Sequence, residues 1–431
     1  MKQTKVSARF LETLQRETFN YFLHEVNPLN GLVADRSKSG APASIAAVGL
    51  ALSSYPVAVE RGFMRRSEAV ARTLTTLRFF QRSEQSTAPD ATGYKGFYYH
   101  FLHMDTGRRM WRSELSTVDS AFLLIGMLAS GTYFDADTAD ERAIRELSDE
   151  LYRRTDWNWA RNGGASLTHG WKPGRGFLRY RWRGYDEALF MYVLGLGSPT
   201  HPLPAESYRE WTSTYVWKKI YDTGFVYSGP LFTHQISHLW IDFRGIQDAY
   251  MRRRKLDYFE NTRRATCVQR QYAIENPGGF AGYGATCWGI TASDGPGPAT
   301  RTIQGRKRRF FGYKSRGVPD GADDGSIAPW AVVASLPFAP DLVLPALHHF
   351  EQMKLRDDMP YGFKATFNPT FRDRAAPSKI WVSPYNYGIN QGPIVLMIEN
   401  YRSGLLWELM RQNRYLVAGL RRAGFTGGWL E

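Results

Sequence analysis

Polar and apolar positions follow helical spacing over much of this chain. Leu11, Leu14, Thr18, Tyr21 and Phe22 recur on one face, and Val70, Leu74 and Leu77 do so again beyond the Ala/Leu-rich residues 44–59. Spacing at i, i+3 and i+7 predicts amphipathic helices. Further helices are expected to begin near Ser116, Thr138, Tyr185, Ser207, Gly245, Ser326, Pro340 and Pro393. Strand-like alternation is scarce and short, residues 224–227 being the example. About ten or more helices without interleaved strands predict an all-α fold in place of a βαβ sheet.

The connections between these helices carry unusual sequence. Residues 161–184 contain six Gly, and residues 276–298 mix Gly, Pro and aromatics. Segments of this length in a compact fold are usually functional or disordered, and embedded Trp and Tyr argue against disorder. They are expected to build a site. Length alone would allow about three domains, but no linker-like break interrupts the 431 residues, so the reading is a single domain, 1–431.

Composition narrows the function. Hydrophobic residues at 43% with 22% charged describe a globular protein, and no apolar run reaches the ~18 residues of a membrane span. The polar start of the chain shows no signal-peptide region. The chain as written is therefore expected to be cytoplasmic, or periplasmic or secreted if a leader precedes it. Cys267 and Cys287, 20 residues apart, allow one disulfide but neither a disulfide framework nor a four-cysteine zinc site. GxxxxGK[ST], GxSxG, HExxH and a strand-to-helix GxGxxG are all missing, which removes sequence support for nucleotide cradles, nucleophile elbows and zincins. Asp320, Asp324 and Gly325 imitate a calcium loop, but Ala322 and Ala331 occupy positions that need oxygen ligands. His234 and His238 share a helical spacing without a third ligand, so no metal and no cofactor are expected.

The formal charge is +14, and two basic runs stand out, 252–255 and 306–309. The first is read as the solvent face of a helix and the second as a loop. Without a nucleic-acid-binding motif, no nucleic-acid partner is expected, though the charge could steer an anionic substrate.

Carboxylates among aromatics remain as candidate chemistry, and two carboxyls flanking a sugar suffice for glycoside hydrolysis. Asp119 follows Ser116 in a capping-box spacing, so it is as readily a helix cap as a catalytic acid. Asp186 and Glu187 are expected in the first turn of a helix, where the dipole favours negative charge. A general acid there would need its pKa raised, which burial against Tyr185 or Trp182 could do. Asp294 lies in a turn-forming loop, and Asp323 and Asp324 precede another helix. Thirteen Trp, 24 Tyr and 25 Phe would suit sugar stacking, although core packing explains aromatics equally well.

These clusters occur in a telling order. Leu115-Ser116-Thr117-Val118-Asp119-Ser120, Gly184-Tyr185-Asp186-Glu187-Ala188, Gly197-Ser198-Pro199-Thr200-His201-Pro202 and Gly229-Pro230-Leu231-Phe232 with His234-Gln235 precede Cys287-Trp288-Gly289 with Ala292-Ser293-Asp294-Gly295-Pro296. Asp324-Gly325-Ser326-Ile327-Ala328-Pro329, Gln391-Gly392-Pro393-Ile394 and Ile398-Glu399-Asn400-Tyr401-Arg402-Ser403-Gly404 follow. Together they resemble the glucoamylase-like domain of glycoside hydrolase family 144, the bacterial β-1,2-glucanases. The resemblance implies an (α/α)6 toroid and inverting hydrolysis of β-1,2-glucan or sophoro-oligosaccharides. It implies Glu187 as general acid and Asp119 and Asp294 as catalytic carboxylates, with Asp324 a further candidate base. It places Glu114, Tyr185, Asp186, His201, His234, Trp288, Asp324, Tyr385, Asn390 and Gln391 along the substrate. Where the family commonly reads Asp-Gln-Gly-Pro, this chain has Asn390-Gln391-Gly392-Pro393, and an amide cannot act as a carboxylate base. That departure keeps open a transglycosylase, a hydrolase for another glucan linkage, or a glucan-binding protein without activity. The basic residues 301–316 are expected to sit beside the cleft and could close one end of it.

Overall fold

The structure, a computed structural model, describes residues 2–356, 361–372 and 380–431. It is an (α/α)6 toroid in which an inner layer of helices is wrapped by an outer one. The inner layer is Ile45–Glu60, Thr117–Tyr133, Leu189–Gly197, the run Phe232–Gln235 and Ile236–Leu239, Pro329–Ala334 and Gly388–Arg402. Their sequences are apolar around nearly the whole circumference, as buried helices require. All nine residues of Leu189–Gly197 are buried. Outer helices such as Ala139–Arg153 bury one stripe, Ile144, Leu147, Leu151 and Tyr152, and leave charge outside.

Close packing of the inner layer rests on glycine. Ile45–Glu60 crosses Thr117–Tyr133 so tightly that a Cβ on Gly49 would stand 2.0 Å from the Phe122 carbonyl oxygen, and one on Gly126 would stand 2.1 Å from that of Gly49. Pro56, inside the first of these helices, has no N–H for the Leu52 carbonyl. Ser130 Oγ of the second donates to that oxygen instead, at 3.0 Å. The ring closes through Glu399 of Gly388–Arg402, which takes two hydrogen bonds from Arg61, at 2.7 and 2.6 Å, and one from Gln15 at 3.1 Å.

Several helix starts differ from the sequence expectation. The helix expected near Tyr185 begins at Leu189, so Asp186 and Glu187 precede it and do not occupy its first turn. Those expected near Gly245 and Ser326 begin at Ala249 and Pro329. Pro393 lies inside a helix that starts at Gly388. Caps explain the shifts: Asp248 accepts from Met251 N at 2.8 Å, and Pro329 takes the first helical position, which tolerates a missing N–H.

The connecting segments hold more strand than alternation suggested. Gly93–Tyr94, Phe97–Tyr99, Leu115–Ser116, Gly170–Lys172 and Gly176–Phe177 form a five-stranded antiparallel sheet. Strands of two or three residues carry too few positions to show a period. The basic run 306–309 is likewise no loop: Arg306–Phe310 pairs with Ala299–Ile303 as a hairpin. Run 252–255 lies mostly on Ala249–Arg254, exposed to solvent as expected. Cys267 and Cys287 are both free thiols. Among the described residues, no helix is long and apolar enough to cross a membrane.

Candidate active site

A cavity of about 590 Å³ opens at one end of the ring. Every inner helix reaches it with its N-terminal end: Ser44 caps the first, Asp119 sits in the first turn of the second, and Glu187 immediately precedes the third. Phe232, Trp330 and Asn390 come from the beginnings of the other three. Helix N-termini carry partial positive charge and unsatisfied N–H groups, so their convergence favours anionic side chains. Five carboxyl residues line the cavity: Asp35, Glu114, Asp119, Glu187 and Asp294.

Glu187 is set apart from the rest. Burial lifts its carboxyl to about 7, helped by the charge of nearby Asp119. Trp182, one of the two aromatics that the sequence offered for this burial, lines the same cavity. Tyr185 instead turns into a cluster with Tyr215, His234 and Tyr258, its ring 5.4, 5.1 and 5.7 Å from theirs. Asp186 points away too, accepting from Ala188 N at 3.0 Å. Burial and the neighbouring Glu187 hold its carboxyl well above the usual range.

Asp119 combines the capping arrangement read from sequence with a place in the cavity lining. Its backbone N–H donates to the Ser116 cap at 3.2 Å, and its side chain accepts from the Ser116 hydroxyl and lines the cavity. His100 lies 3.6 Å from it and 3.0 Å from Glu114. Burial pulls His100 down, but Asp119 and Glu114 outweigh it and raise the imidazole to about 9. The hydrogen bond from His100 holds Glu114 down at about 2. His100, Glu114 and Asp119 bring potential ligand atoms within 4.8 Å of one another. With the imidazole protonated, the three side chains form an internal ion-pair cluster.

Asp294 receives Ser383 Oγ at 3.0 Å and Gly295 N at 2.9 Å. Asn390 lines the same wall, its N–H bonded to the Tyr387 carbonyl at 2.9 Å. Tyr385 stands beside Arg36, the guanidinium 5.7 Å from its ring centre, and is not part of the lining.

The other residues expected along the substrate lie elsewhere. Asp324 is fully buried and bound to Arg316, Oδ1 to Nε at 2.7 Å, so it can neither touch a sugar nor activate water. Trp288 and Gln391 are core residues, 0% and 1% exposed. His234 is buried among the Tyr185 cluster and depressed to about 4 by desolvation, its Nε2 3.1 Å from the Ser228 carbonyl oxygen. His201 is on the outer surface. The lining residues missed from sequence are Asp35, Arg36, His100, His169, Tyr313 and Tyr387. They lie in irregular or strand segments, where no periodicity marks them.

Residues 179–414 match the family described as "Putative glucoamylase". The chain belongs to this glucoamylase-like family. A crystal structure from Bacteroides uniformis that carries the same description shares 32% identity over 99% of both chains, with a TM-score of 0.86. An endo-β-1,2-glucanase from Chitinophaga pinensis, solved with sophorotriose and glucose, shares 28% identity over 98% of this chain and 99% of its own, with a TM-score of 0.85. The exo-β-1,2-glucooligosaccharide sophorohydrolase of Parabacteroides distasonis is 28% identical over 452 aligned positions, 96% of this chain. The chain spans 57% of that curated relative's length. The glucoamylase-like family and the (α/α)6 barrel are thus the ones that the ordered motifs implied.

Proposed function

We propose that this protein is an inverting glycoside hydrolase of β-1,2-glucan or its oligosaccharides, working as one catalytic domain. The observation that carries this reading is Glu187, a carboxyl raised to about 7 in a cavity shared with four other carboxylate residues. An acid tuned near neutrality can protonate a departing glycosidic oxygen. The sophorohydrolase and glucanase names of its relatives supply the linkage. Glu187 is the general acid. Asp119, the acid whose charge Glu187 senses, is assigned to activate water, and Asp294 and Glu114 with Asn390 bind sugar hydroxyls. Inverting enzymes place the two working carboxyls roughly 6.5–9.5 Å apart, leaving space for that water.

A second reading, transfer to a sugar acceptor, is favoured by one observation: the family's acid is replaced by Asn390 on the cavity wall. One experiment addresses both. The protein is incubated with glucans and oligosaccharides of defined linkage, and the first product is followed by proton NMR. The α-anomer released from β-1,2-linked substrate supports inverting hydrolysis, whereas longer β-linked products support transfer. Cleavage of another linkage alone would overturn the β-1,2 assignment.

A further inference from the structure

Tyr313 combines properties that rarely coincide. Its side chain is 65% exposed, yet it lines the catalytic cavity. The cavity wall crowded around its base, and then the charges of Asp35, Glu187 and Asp119, raise its phenol to about 12, although the ring itself stays open to solvent. It therefore stays a neutral donor beside the acids. A large aromatic ring facing solvent at the mouth of a carbohydrate-sized cavity has lost the burial that normally retains it.

The backbone around Tyr313 is tied down more firmly than a surface loop needs. Lys314–Ser315 pairs with Ala292–Ser293, placing Tyr313 and Asp294 at one end of the same two-stranded ladder. Behind them lies Arg316, fully buried. Its guanidinium donates to the carbonyls of Ser293, Phe311 and Gly312 at 2.7, 3.3 and 3.1 Å. Asp324 neutralises it and accepts Phe311 N at 2.9 Å with the same carboxylate. A buried ion pair costs desolvation and is weak evidence for net stability, but this one joins the carbonyl of Ser293, on one strand of the ladder, to those of Phe311 and Gly312, just ahead of the other. Here the geometry fixed is that of the turn presenting Tyr313.

We propose that Tyr313 is a substrate-contacting specificity residue whose ring forms a wall of the sugar subsite beside Glu187. Arg316 and Asp324 are its positioning residues. The proposal rests on the glycoside hydrolase reading and names one residue that selects the substrate. It also gives the Asp324-Gly325-Ser326 block a role behind the cleft.

The test is steady-state kinetics on sophorotriose and β-1,2-glucan for wild type, Tyr313→Ala, Tyr313→Phe, Asp324→Asn and the Tyr313→Ala/Asp324→Asn double variant. Loss of binding common to ground and transition states appears in KM. Tyr313→Ala is expected to raise KM by about tenfold while kcat falls less than about threefold, and Tyr313→Phe, which keeps the ring, to recover most of the KM. Asp324→Asn is expected to raise KM alone but to add nothing in the Tyr313→Ala background, because residues acting through one another are not additive. Wild-type cleavage with unchanged KM in Tyr313→Ala overturns the proposal and leaves the function standing. Additive effects in the double variant overturn the positioning role. Wild type that cleaves neither substrate overturns the functional reading and the proposal together.

Discussion

His100 Nδ1 lies 3.0 Å from Glu114 Oε1, and both side chains border the cavity that holds Glu187. The folded state raises His100 from 6.5 to about 9 and lowers Glu114 from 4.5 to about 2. The histidine's contribution is therefore complete below pH 6.5 and disappears as pH rises through about 9. The glutamate's is complete above pH 4.5 and disappears as pH falls through about 2. His100→Gln is expected to cost about 1.5–3 kcal/mol at pH 6, as for a charged hydrogen bond, and clearly less at pH 10. Urea unfolding at the two pH values measures the difference; equal losses would refute the ion pair.

Glu187 predicts the alkaline limb of the rate. As an acid it must be protonated, so kcat/KM should fall tenfold per unit once pH passes about 7. Glu187→Gln should lose about 10²–10⁴ in kcat and abolish that limb. Its stability effect has its own sign. A carboxyl raised from 4.5 to about 7 stabilises the fold fully below pH 4.5, and that contribution is lost as pH rises through 7. Relative to wild type, Glu187→Gln should consequently gain melting temperature at pH 8 and not at pH 4.

Asn390 offers an electrostatic probe. Asn390→Asp would add a sixth carboxylate residue to the five in the cavity, and like charge raises a neighbouring carboxyl. The alkaline limb should move to higher pH in this variant. A limb that stays in place would put residue 390 out of reach of the acid.

Gly49 and Gly126 predict a packing effect remote from the chemistry. Alanine at either site meets a backbone carbonyl oxygen at about 2 Å, so the two helices would have to part. Overpacking of this kind typically costs about 1–3 kcal/mol, occasionally more. Guanidinium unfolding of Gly49→Ala and Gly126→Ala would show it, and wild-type midpoints would contradict the close crossing.

The helical class could be read from the 3.6-residue period of longer helices, as around Val70, Leu74 and Leu77, whereas the (α/α)6 ring was implied by the family resemblance alone, its inner helices being as short as Pro329–Ala334. The five-stranded sheet escaped because two-residue strands such as Leu115–Ser116 have no measurable period. In the site, Glu187, Asp119, Asp294, Glu114 and Asn390 reach the cavity, whereas Asp324, Trp288 and Gln391 do not. A motif block does not separate a residue that touches substrate from one that supports its neighbour, since both are fixed in the sequence by the same fold. His100 and Tyr313 had no such block and emerge only when distant strands are brought together.

The convergence of six helix ends on one cavity divides the molecule into a frame and a replaceable surface. Each inner helix supplies one or a few side chains at or just before its tip, while segments such as residues 161–182 and 292–316 provide much of what surrounds them. The atoms nearest Gly49 and Gly126 in the helix crossing belong to neither segment. Loops carried on a constant barrel can diverge while the frame stays the same, which makes loop grafting between relatives a practical route to altered specificity.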